Sequence, residues 1–93
     1  MRFGRVDANQ KAGDEWIIAH GGSVWNTADC GGGSPDRVYG FRDFNYMIEW
    51  KNPERRGKQR ELRPTQVEFH GTWKGQIHKC ETIDELAKIM GIK

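Results

Sequence analysis

The stretch GGGSPDRVYGFRDFNYMIEWK, residues 31–51, decides how this chain is read. Three consecutive glycines, Gly31 to Gly33, make the segment from Ala28 to Ser34 a loop or tight turn. Two apolar runs follow. Asp36 to Phe41 contains Val38, Tyr39 and Phe41, and Tyr46 to Lys51 contains Tyr46, Met47, Ile48 and Trp50. With Gly40 to Asn45 as the turn, the pair reads as a β-hairpin. Side chains at i and i+2 of a strand share a face, so Glu49 and Lys51 project together and Trp50 projects oppositely. Antiparallel pairing brings Asp36 beside them. Charges on an otherwise apolar strand are expensive to bury unless they pair or hold a metal. One reading is a salt bridge, Glu49–Lys51 or Asp36–Lys51, on a solvated sheet face. The other is a reactive site, with the glycine turn giving backbone or substrate a close approach.

The elements on either side complete a layout. Ala8 to His20 contains Ala12, Trp16, Ile17 and Ala19 and stops at Gly21-Gly22, which predicts a helix despite the cost of Gly13 inside it. Ser23 to Thr27 is a short strand. Pro64 is placed to open a helix over Thr65 to Trp73, broken by Gly75. Gln76 to Cys80 is a brief strand. Thr82 and Glu85 fit a capping box ahead of a last helix, Ile83 to Met90, with Gly91 as its stop. The order α-β-β-β-α-β-α is an α/β layout, a mixed sheet flanked by helices. Phe69 and Trp73, four apart, are expected in the core. Trp16, Trp25 and Trp50 are expected in the core or a dimer interface.

Ninety-three residues fit one domain, residues 1–93, and the 35% hydrophobic content argues against disorder. A net charge of +2 does not by itself argue for nucleic acid, but its distribution is uneven. Between Lys51 and Arg63 stand six basic residues (Lys51, Arg55, Arg56, Lys58, Arg60, Arg63) against Glu54 and Glu61. This run is either a solvated loop or a phosphate-contacting surface. Cys30 and Cys80 form no C-x-x-C pair, and His20, His70 and His78 have no ligand spacing, so zinc is not expected. The opening MRFGRVDANQ lacks the apolar segment of a signal peptide, and no run approaches a membrane span. The expectation is a soluble intracellular protein.

Taken together, GGGSPDRVYG, the step to IEWK, and the later LRPTQVEFH resemble the VRR-NUC family of the PD-(D/E)XK nuclease superfamily. Gly33, Pro35 and Asp36 match its G-x-P-D turn, Glu49 and Lys51 its E-x-K, and Gln66 its helix glutamine. RVDANQ and EFHGTW resemble the short, stand-alone phage members, and the likeness spans about residues 5 to 91. The resemblance implies a restriction-endonuclease-like core and metal-dependent hydrolysis of DNA phosphodiester bonds. It implies Asp36, Glu49, Lys51 and Gln66 as the catalytic set. Asp36, Glu49 and the Trp50 backbone carbonyl would be ligands for Mg²⁺ or Mn²⁺, and Arg55, Arg56, Lys58 and Arg60 DNA contacts. It further implies a homodimer acting on branched DNA such as four-way junctions, in the cytoplasm of a bacterial cell or a phage-infected host. The sequence departs from the family at one point. The first-helix glutamate that usually joins the metal site aligns with Gln10, and Asp14, four positions on, is the alternative. That departure leaves room for a non-catalytic DNA-binding or interaction module on the same fold.

Overall fold

The computed structural model describes residues 8–51 and 61–92. Arg55, Arg56, Lys58 and Arg60, expected as DNA contacts, lie outside the described residues. The order is α1 (Ala8–Ala19), β1 (Ser23–Asn26), β2 (Arg37–Phe41), β3 (Phe44–Trp50), α2 (Pro64–Thr72), β4 (Ile77–Cys80) and α3 (Ile83–Met90). The strands form one four-stranded sheet in the order β1-β2-β3-β4. β1–β2 and β2–β3 are antiparallel and β3–β4 is parallel, so the sheet is mixed and the α/β expectation is met.

The hairpin is tighter than the sequence suggests. Phe41 pairs with Phe44 and Gly40 with Asn45, leaving only Arg42 and Asp43 in the turn. Both take positive φ, 54° and 70°, the mirror-image turn that matches the twist of paired strands.

The sheet buries one face. Tyr39, Phe41, Tyr46, Ile48, Trp50 and Cys80 form a single cluster there with Ile17 of α1 and Leu86 and Met90 of α3. Gly13, a weak residue for a helix interior, has a packing reason: a Cβ there would come within 2.3 Å of the Trp50 ring. It is what lets α1 lie directly on the indole. α3 has its predicted ends, with Glu85 N–H donating to Thr82 Oγ1 at 3.1 Å and Gly91 in the left-handed region.

The opposite face is covered sparsely. In register across it run Trp25, Val38, Met47 and Ile77, and Trp25 is 64% exposed, so it is not a core residue. α2 lies on this side and buries Gln66 alone. Phe69 and Trp73 do not enter the core either. They stack on each other at 5.5 Å, with Trp73 exposed. Cys30 is exposed and Cys80 buried, both as free thiols. Among the described residues, no helix is long and apolar enough to cross a membrane.

Candidate active site

Burial in β3 alternates until Glu49, which is only 3% exposed although it points to the open face. α2 supplies the reason. Pro64 starts the helix, and Gln66 folds back so that its Oε1 accepts from Arg63 N–H at 2.8 Å and from Lys51 Nζ at 3.0 Å. Its Nε2 donates to Glu49 Oε2 at 2.8 Å. Lys51 Nζ stands 3.5 Å from the same carboxylate oxygen. One amide therefore clamps the acid and the amine together, and the Glu49–Lys51 ion pair, one of the alternatives open in the sequence, is part of this arrangement but buried rather than on a solvated face.

The glycine turn presses against that helix. A Cβ on Gly33 would sit 2.2 Å from the Thr65 carbonyl oxygen, and its φ of +81° suits glycine alone. Immediately after it, Pro35 and Asp36 are tied to the end of β1. Thr27 Oγ1 donates to the Pro35 carbonyl at 2.7 Å, and Thr27 N–H to the Asp36 carbonyl at 2.9 Å.

Asp36 Oδ2 accepts the Trp50 backbone N–H at 3.0 Å. A strand residue's N–H and C=O face the same neighbour, so the Trp50 carbonyl also faces the Asp36 side. Continuing the β2–β3 register from Arg37↔Ile48 puts Pro35 opposite Trp50. Proline has no N–H, so the Trp50 carbonyl has no donor in the ladder. Glu49 Oε1 is buried and unpartnered, and no hydrogen bond to Asp36 Oδ1 forms among the described residues. Among the described residues, Glu49 Oε1 and Asp36 Oδ1 accept no hydrogen bond, and the Trp50 carbonyl faces the Asp36 side without a donor from the ladder.

The electrostatics follow from the packing. Burial first, and then the Asp36 charge, push the Glu49 carboxyl up to about 7, with Lys51 pulling the other way. A buried carboxylate of that kind is relieved by a cation. Hard oxygen donors of this type suit Mg²⁺ or Mn²⁺, which keep several waters of their own. Among the described residues, no group of three or more His, Cys, Asp or Glu side chains is placed to hold a metal ion. The fit therefore rests on two carboxylates and a carbonyl. His70, one turn beyond Gln66, has a buried and unpartnered Nε2, and burial keeps its pKa below the ordinary value.

From the first helix, Asn9 reaches the end of β3: its Nδ2 donates to the Lys51 carbonyl at 2.6 Å and its Oδ1 is buried without a partner. Among the described residues, no hydrogen bond or ion pair joins Gln10 to Asp36, Glu49 or Lys51. Asp14 lies over the opposite face of the sheet, where both its oxygens accept from Arg37 Nε at 3.1 Å. Tyr39 Oη donates to Asp14 Oδ1 at 2.7 Å and accepts from Trp50 Nε1 at 2.9 Å. Burial and the Asp14 carboxylate hold the Tyr39 phenol well above its ordinary pKa, so it stays a donor. Arg37, only 5% exposed, also donates through Nη1 to Asn26 Oδ1 and to the Asp36 carbonyl, each at 3.0 Å. The sequence alone does not single out Asn9, Thr27, Arg37 or Tyr39. Arg37 alone carries a signal, a cation at an inward-facing strand position that needs a buried partner.

Compared with known proteins, the chain matches no family model, no curated protein and no solved structure.

Proposed function

We propose that this chain is a metal-dependent endonuclease that hydrolyses DNA phosphodiester bonds, on a PD-(D/E)XK core of the VRR-NUC kind. The observation that carries the reading is the buried Glu49 carboxylate, with one oxygen held by Gln66 and Lys51 and the other unpartnered beside Asp36. Charge burial of that kind has a cost that a sheet face does not need for stability. A function that uses the carboxylate accounts for it.

Asp36 Oδ1, Glu49 Oε1 and the Trp50 carbonyl would hold Mg²⁺ or Mn²⁺. The ion when bound supplies Lewis acidity toward the phosphate and a more acidic water. The remaining work belongs to the chain. The Lys51 ammonium, held at Gln66 Oε1, is aimed to orient the attacking water or to offset negative charge on the phosphate in the transition state. Gln66 fixes both Lys51 and Glu49 in one geometry. The basic run from Arg55 through Arg60 holds the DNA backbone. Branched DNA, four-way junctions above all, is the proposed substrate, and a two-fold dimer would set two sites against two strands. The setting is the cytoplasm of a bacterial or phage-infected cell.

Labelled four-way junction and linear duplex, incubated with Mg²⁺, Mn²⁺ or EDTA, test the reading. The expected result is cation-dependent cleavage abolished by Asp36→Ala. Binding without cleavage under every cation condition overturns it in favour of a non-catalytic DNA-binding module, which the small number of site carboxylates also favours. Neutralising Arg55, Arg56 and Lys58 is expected to flatten the salt dependence of binding.

A further inference from the structure

Among the described residues, a polar network starts at Asp36 and runs over the face of the sheet away from Glu49, and its contacts close into a ring. From the Asp36 carboxylate the path runs to the Trp50 backbone N–H. From the Trp50 indole it passes to the Tyr39 hydroxyl, then to Asp14, then to Arg37. Arg37 returns it to Asp36 through that residue's backbone carbonyl. Asp36 is therefore gripped at both ends, its side chain from β3 and its main chain from β2, and both grips trace back to Asp14 on α1.

We propose that Asp14, Arg37 and Tyr39 are positioning residues: together they set where the Asp36 carboxylate and the Trp50 carbonyl point. The inference rests on the nuclease reading for its purpose, but its geometry does not depend on it. Stability alone is a poor account of the ring. A buried ion pair is often no better than apolar packing of the same volume. This one, however, ends on the Asp36 carbonyl and on the Trp50 indole, and so holds two residues that supply proposed cation ligands. Within Asp14, Tyr39 and the Trp50 indole the hydrogen bonds polarise one another, and loss of the Tyr39 link frees the indole and with it the strand end that carries the Trp50 N–H and carbonyl. Asp14 itself stays off the cation, because both of its oxygens are committed on the far face.

The test uses Tyr39→Phe, which removes one hydroxyl and keeps the ring, and Asp14→Asn as a second, shape-conserving variant. Two measurements are taken on the full chain. The first is amide exchange at the Trp50 N–H, with the Ile48 N–H in the β2–β3 ladder as internal reference. The second is the half-saturating Mg²⁺ or Ca²⁺ concentration by calorimetry. Tyr39→Phe is expected to speed Trp50 exchange about tenfold relative to Ile48, the size of one buried hydrogen bond. Cation half-saturation should rise by a similar factor, with kcat falling and KM for DNA unchanged. Wild-type exchange at Trp50 in both variants overturns the proposal, whatever their melting temperatures. An equal loss of protection at Trp50 and Ile48 also overturns it, since that is general loosening. Failure of the wild type to cleave DNA sinks the nuclease reading instead, and the exchange ratio still decides the ring.

Discussion

Replacing Glu49 by Gln separates the electrostatic cost of the site from its chemistry. The Glu49 pKa stands at about 7 in the folded protein against 4.5 for an unperturbed carboxyl. Below the lower value the group is protonated in both states and adds no pH dependence. Between the two, the folded protein holds a proton that the unfolded chain has released, so stability falls as pH rises through that window. Above about 7 the whole cost is in place. The difference between the two values corresponds to about 3 kcal/mol at most. Relaxation and water entry around the carboxylate reduce that to about 1–3 kcal/mol. The substituted amide would still accept from Gln66 Nε2, and at low pH the neutral acid and the amide are near equivalents. Glu49→Gln is therefore expected to match the wild type near pH 5 and to exceed it by about 1–3 kcal/mol near pH 8, in EDTA. For a domain this size, that is about 4–8 °C of melting temperature per kcal/mol. Urea denaturation followed by circular dichroism at both pH values reads the difference directly. A gap between variant and wild type that is constant across pH refutes the reasoning. Mg²⁺ near pH 8 should then stabilise only the wild type.

The same proton competes with the cation: below about pH 7, affinity for Mg²⁺ should fall by up to about tenfold per pH unit, with proton release on binding, as calorimetry in two buffers of different ionisation enthalpy will read. Gly33→Ala forces a Cβ against the Thr65 carbonyl at a positive φ and should cost more than about 1 kcal/mol in urea denaturation, with cleavage lost alongside as α2 is pushed off the site. Gln66→Leu leaves Lys51 Nζ and Glu49 Oε2 without the bridging amide. A loss of about 1–3 kcal/mol is expected, with cation affinity lowered, and unchanged affinity would remove Gln66 from the site.

The sequence declares its element order because its punctuation is local. Gly21-Gly22, Pro64, the Thr82–Glu85 box and Gly91 each act on the residues beside them, and the helix ends fall within a residue or two of expectation. The hairpin's alternation places Glu49 and Lys51 on one face for the same reason. What is not legible depends on contacts distant in sequence. Asn9 reaches a carbonyl forty-two residues away, and Asp14 finds Arg37 across twenty-three. Gln10 comes forward only because the family resemblance aligns it with a first-helix glutamate, whereas the contact with the end of β3 is made by Asn9, one residue earlier. Phe69 and Trp73 read as core because their spacing is helical, yet α2 offers its buried edge to Gln66 and leaves the aromatics to each other.

The parallel pairing of β4 with β3 also imposes an order of assembly. β1, β2 and β3 are antiparallel near neighbours, and β2 and β3 are joined by a two-residue turn, so their contacts close over short stretches of chain. β4 pairs only after the chain from Lys51 to Ile77 has looped back, and the entropy of that closure comes due before the pairing rewards it. Asp36 can meet Trp50 with the hairpin. Gln66 meets Glu49 only when the long return segment is in place. The Glu49 carboxylate is thus covered by a contact that carries a larger closure cost than the hairpin that presents it, which ties closure of the site to the long-range part of the fold.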